Sequence, residues 1–259
     1  MQMSVPKSLF SERSQRAILW WGIGLGAVYG LSLVALLQMV PPPSATWSAA
    51  QIADFYQQHS LRIRWGAVIS AWSGGFMMPI LVVVTIQMAR VETGGAKVWS
   101  ALSLVSGAFM SLFLVLPPIF FGVAAFTPTR APEVTSLMHE LGVMTLVSTA
   151  QYYVFMWIGV TVIAFRSATR LVPHNPFPRW WGYLSLWITL MLEFGPFAFL
   201  PRSGVLSWNG LLVFWSPVTL FTIWVAVQSW LVFRALRGQV AAKQADELEV
   251  STGTTDAVA

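Results

Sequence analysis

The chain has 259 residues, 56% of them hydrophobic and only 10% charged, where a soluble domain carries about 25% charged residues. It has no cysteine, which excludes disulfides, thiolate metal sites, iron–sulfur clusters and cysteine nucleophiles. A net charge of +5 with a mean hydropathy of +0.66 fits a protein whose outer surface meets lipid, and no nucleic-acid partner is expected.

Residues 1–16 are polar, with Lys7, Arg13 and Arg16, and read as a cytoplasmic segment. Ala17 to Val40 is apolar and long enough to span about 30 Å of hydrocarbon. Pro41–Pro43 follows it in place of a small-residue cleavage site, so the helix is read as retained. Gly22, Gly26 and Gly30 fall on one face, where small residues let a second helix approach closely. They are the candidate contact for a membrane-protein partner.

Ser48 to Gln51 has the pattern of a capping box, and Ile52, Phe55, Tyr56 and His59 recur at helical spacing. A short amphipathic helix lying on the membrane surface is expected over Ser44–Leu61. The second span is expected over 65–89, kinked by Pro79. The third is expected over 98–126, broken at its far end by Pro117 and Pro118. The fourth covers 137–165, with Glu140, Ser148 and Gln151 on one face. A basic, proline-rich connector leads to the fifth span, 180–200, and then to the sixth, 208–233, interrupted by Pro217. Residues 235–259 are expected to form a disordered cytoplasmic tail.

The fold class is therefore an all-α membrane protein, a six-transmembrane-helix bundle over 17–234. Charge supports the layout. Eleven of the 15 Lys and Arg residues, Lys7 and Arg170 among them, then fall on the side of both termini. Arg62, Arg64, Arg130 and Arg202 fall on the other. The positive-inside rule places both termini in the cytoplasm of a bacterial plasma (inner) membrane protein.

The centre of interest is Leu186–Gly204, an apolar run with one carboxylate, Glu193, two residues before Gly195-Pro196. A charge at that depth is costly and faces protein or water. Pro196 has no N–H for the carbonyl of Leu192. Glu193 and Glu140 are the candidate catalytic or cation-binding carboxylates. Gln151, Ser148, Thr189, Trp187, Trp208 and Trp215 are the candidate ligand contacts. The structural alternative is an ion pair of Glu193 with Arg62, Arg64 or Arg202. His59, His139 and Glu140 form a weak candidate metal set, but their spacing does not demand a metal, and no metal or cofactor is expected.

Three functions follow from these residues. The favoured one is handling of a lipophilic small molecule, a lipid, sterol or terpenoid, at an outward-facing pocket near Glu193. A buried carboxyl and aromatic walls suit proton-driven isomerisation or cyclisation, and whether the pocket catalyses or only binds stays open. The alternatives are a non-catalytic accessory subunit docking through the glycine face and a small-solute transporter. The faint echo between RWGAVISAW (64–72) and RWWGYLSLW (179–187) is the trace of an inverted repeat that transport requires.

Three segments, DFYQQHSLRIRWG (54–66), PFPRWWGYLSLW (176–187) and RSGVLSWNGLLVFWSP (202–217), carry a resemblance. With them the chain resembles a family of uncharacterised bacterial polytopic (six-span) integral membrane proteins, over Ala50–Phe233. The family pattern GPFAWNG is GVLSWNG here. The resemblance implies the topology and no reaction or ligand.

Overall fold

The computed structural model describes residues 11–127, 129–166 and 171–256, with side chains as far as residue 247. Expectations for the remaining residues, the placement of Lys7 and Arg170 included, lie outside the described residues. All regular structure among the described residues is helical.

Helix α1 is Glu12–Leu31, capped by the Ser11 hydroxyl on Ser14 N–H, and runs on as a π-helical turn over Ser32–Leu36. Helix α2 is Ala49–Ser73. Its capping box is present: Ser48 N–H donates to Gln51 Oε1 at 2.8 Å and Gln51 N–H to Ser48 Oγ at 3.3 Å. The expected surface helix over 44–61 is not a separate element. No Gly or Pro interrupts Ala49–Trp65, and Ile52, Tyr56, Ile63 and Gly66 continue one buried stripe, so these residues are the first half of α2. A 3₁₀ turn over Gly74–Phe76 joins α2 to α3, Met77–Val91. The interruption lies upstream of Pro79 because Pro79 cannot donate to the Gly75 carbonyl, four residues earlier. The Ser111 hydroxyl approaches that oxygen at 3.5 Å.

Helix α4, Val98–Phe126, corrects a second expectation, since it runs through Pro117 and Pro118 without ending. Pro118 leaves the Leu114 carbonyl without its helical donor, and the Tyr29 hydroxyl donates to that oxygen at 2.6 Å. A side chain from α1 thus satisfies the group the proline frees. Helix α4 is the hub of the fold and packs against α2 and α3, as well as the two helices that follow it.

Those are α5, Pro132–Val147, and α6, Phe155–Phe165, where one continuous fourth span was expected. Ser148 and Thr149 turn their hydroxyls back onto the Met144 and Thr145 carbonyls, at 2.7 and 3.0 Å. Such back-bonding competes with the helix ladder. A 3₁₀ turn, Ala150–Tyr152, fills the gap.

Helix α7, Arg179–Leu192, ends one residue before Glu193, as expected, and a 3₁₀ turn over Gly195–Phe199 follows. After a π-helical turn over Leu211–Trp215, helix α8 runs from Ser216 to Asp256, with Pro217 in its first turn and not inside it. It continues through residues read as a disordered tail. Residues 239–249 are rich in helix formers, and Lys243 pairs with Glu12 of α1.

Among the described residues five helical stretches are long and apolar enough to cross a membrane: Glu12–Leu36, Ala49–Val91, Val98–Phe126, Arg179–Phe199 and Leu211–Glu247. The broken segment α5–α6 is not among them. Nine of the 14 tryptophans are exposed, which suits membrane anchoring, while Trp157, Trp181 and Trp224 are fully buried at the centre. Trp181 and Trp224 stack at 6.1 Å, and Trp157 meets Trp224 edge-on at 6.1 Å. Trp181 Nε1–H donates to Gln228 Oε1 at 2.6 Å, and Trp224 Nε1–H to Ser185 Oγ at 3.1 Å, so two of the three rings carry their polar edge into the core satisfied.

Candidate functional site

The helix breaks that follow α5 and α7 meet. Gly195 packs directly on the Val147 carbonyl, so closely that a Cβ would overlap it. Glu193, half-buried, lies against the Gln151 side chain of the other break, and the buried Tyr153 is within electrostatic reach of the same carboxyl. Neither Glu193 Oε1 nor Gln151 Nε2 completes a hydrogen bond of good geometry, although both atoms are buried. Ser148 borders this junction with its hydroxyl turned to Met144. The structure therefore brings Glu193, Gln151 and Ser148 together.

It separates the other candidates. Glu140 is exposed, near enough only for a weak 3.4 Å bond from Ser136 Oγ, because His139 takes the inward face of that turn. Thr189 donates to its own helix, at the Ser185 carbonyl. Trp187 and Trp215 are exposed, and Trp208 is buried elsewhere with Nε1–H donating to the Pro43 carbonyl at 2.7 Å. The expected ion pair is not made. Arg62 donates to the Ala35 carbonyl at 2.7 Å, the Arg64 guanidinium lies 5.2 Å from the Phe126 ring centroid, and Arg202 is exposed. Among the described residues the salt bridge that forms joins Lys243 and Glu12. His59 faces the Phe55 carbonyl of its own helix, and no described group of His, Asp and Glu could hold a metal ion.

The glycine face is used inside the chain. A Cβ on Gly22 would stand 2.6 Å from Ile80 Cγ1 of α3, and one on Gly26 3.0 Å from the Phe76 ring of the 3₁₀ turn before it, so both belong to contacts inside the chain. Gly30 meets nothing within 4 Å. It opens instead into a long groove of about 960 Å³ between α1 and α8, near the upper end of the range of ligand sites. Gly26, Gly30 and Ala226 leave its walls shallow where larger side chains would close it. Phe76, Phe221 and Val225 supply apolar surface, and Trp20 and Trp230 stand at its rim, each more than half exposed. Its far end reaches Leu146, next to the Val147 carbonyl on which Gly195 rests.

Sequence reasoning missed two further polar constellations. His139 is fully buried with Nδ1 3.0 Å from the Tyr56 hydroxyl, Nε2 without a partner, and the Phe121 and Trp208 rings beside it. Its buried neighbours come from α2, α4 and the 200–210 loop, which no local pattern links. The second is Glu92, beyond the end of α3. Its carboxylate accepts from Trp99 N–H and Ser100 N–H, each at 3.0 Å, and from Ser100 Oγ at 2.6 Å, and so caps α4 from outside. Burial opposes its ionisation, but these donors and the nearby Arg166 hold the carboxyl below the usual range. Glu92 lies seven residues before Trp99, beyond the three-residue reach of a capping-box pattern.

Among the described residues the protein is all-helical, with five helical stretches of membrane-spanning length and apolarity and an apolar groove on its flank. No protein-family model, curated protein or solved structure matches the chain.

Proposed function

We propose that the protein is an integral membrane protein that holds a lipophilic molecule in the groove between α1 and α8. The observation that carries this reading is the groove itself: about 960 Å³ of mostly apolar space whose walls are kept open by Gly26, Gly30 and Ala226. The broken segment Pro132–Phe165 would make a sixth crossing, with both termini in the cytoplasm, as the distribution of Lys and Arg along the sequence favours. The first half of α2 would then extend past the hydrocarbon, since 43 helical residues from Ala49 to Val91 span about 65 Å.

The experiment is to purify the protein in mild detergent and identify its co-purifying small molecules by mass spectrometry, beside a groove-filling variant, Gly30→Leu/Ala226→Leu. A lipophile carried by the native protein and lost from the variant supports the reading. A stoichiometric partner protein in place of a lipophile sinks it in favour of the accessory-subunit alternative.

Transport is a second reading, supported by the two helix breaks that meet at Glu193 and Gln151. Broken helices facing one another at a buried polar group are the usual build of a transporter's binding site. In that case Glu193→Gln abolishes substrate uptake into proteoliposomes without lowering thermal stability. Equal loss of both assigns Glu193 to structure.

A further inference from the structure

The groove has one charged end, and the inference drawn from it rests on the groove reading. Arg234 and Arg237, one turn apart on α8, line that end. Both are exposed, and among the described residues neither meets a carboxylate. The Arg234 guanidinium lies 5.9 Å from the Trp230 ring centroid. Across the groove on α1, Trp20 touches Phe233 with ring centroids 4.9 Å apart, and Glu12 pairs with Lys243. Arg16 is four residues from each of these contacts and so shares their face. Within residues 12–20 and 230–243, five cationic side chains stand against one carboxylate, Glu12, which Lys243 already engages.

An uncharged lipophile leaves this end without a partner. We propose that the groove binds an anionic phospholipid of the surrounding bilayer. An acyl chain lies along α1 and α8, and the phosphate sits between Arg234, Arg237 and Arg16. Guanidinium forks match phosphate oxygens in paired hydrogen bonds, which an ammonium cannot reproduce. Moving an acyl chain from bilayer to groove exchanges one apolar surrounding for another, so the chain confers little preference. Discrimination falls to the charged end. That end lies on the side assigned to the cytoplasm, whose leaflet carries the anionic lipids that basic segments attract.

The test is native mass spectrometry of the full-length protein in neutral detergent, titrated with phosphatidylglycerol and with phosphatidylcholine of the same chains. The expected result is retention of phosphatidylglycerol about 30- to 150-fold tighter, the scale set by two or three arginines near a headgroup at about 1 kcal/mol each. Arg234→Gln/Arg237→Gln should bring the two lipids to parity, and Gly30→Leu/Ala226→Leu should weaken both. Equal binding of the two lipids by the native protein overturns the headgroup assignment. So does a preference that survives the double glutamine change, and in either case the groove reading still stands. If the groove-filled variant binds both lipids as the native protein does, the groove reading itself fails.

Discussion

At the scale of single residues, the buried polar groups have sharply different needs. Glu92 is satisfied three times over, and its carboxylate replaces the missing partners of the first turn of α4. Glu92→Ala should cost about 1–2 kcal/mol, read as a lower melting temperature in detergent. Its folded-state carboxyl titrates below the usual value of 4.5. Its contribution is therefore complete above pH 4.5 and is lost as pH falls from there through the folded value. The native protein should lose stability in that window and Glu92→Ala should lose less, so identical acid profiles would contradict the assignment. His139 is the opposite case, with one nitrogen on Tyr56 and the other without a partner. Tyr56→Phe orphans the second nitrogen and should destabilise by about 1–3 kcal/mol. Tyr56→Phe/His139→Phe removes both partners together and should recover most of that loss. A double variant no more stable than Tyr56→Phe would show that the ring pair is held by shape alone.

At the scale of elements, a proline need not end a helix when a distant side chain takes up the carbonyl it frees. Pro118 sits inside α4 because Tyr29 serves the Leu114 carbonyl, whereas the Leu192–Pro196 step ends α7. The junction of the two breaks depends on Gly195, whose missing side chain admits the Val147 carbonyl. A backbone oxygen cannot swing away as a side chain can. Gly195→Ala should therefore cost about 1–3 kcal/mol, seen as a drop in melting temperature. Gly30→Ala should leave stability unchanged or slightly raised, because its Cβ meets open space and alanine favours helix. Equal effects at the two glycines would mean that the breaks do not touch as described.

At the scale of the whole molecule, the open question of architecture is whether the broken segment α5–α6 crosses. The natural chain has no cysteine, so single cysteines report on topology cleanly. Ala96 and Ser203 are both exposed, and α4, the broken segment and α7 lie between them. If all three cross, Ala96→Cys and Ser203→Cys lie on opposite sides of the membrane. A membrane-impermeant maleimide then labels Ser203→Cys in intact cells and Ala96→Cys only after lysis. Labelling of both from one side leaves two crossings and removes the sixth span.

The sequence by itself determined the helical class, the capping box at Ser48 and the helix break between Glu193 and Pro196. Each of these follows from local chemistry: hydrophobic run length, a cap three residues ahead, or a proline without its N–H. Only the tertiary structure decided that α4 survives its prolines, that Gly22 faces α3 and Gly26 the turn before it, that Glu140 points away, and that a groove opens between the first and last helices. Those outcomes depend on which distant side chain arrives at a freed carbonyl or an empty face. Tyr29 and Leu114 are 85 residues apart, and Glu12 and Lys243 are 231 apart. Periodicity along one helix carries no record of the neighbour it will meet.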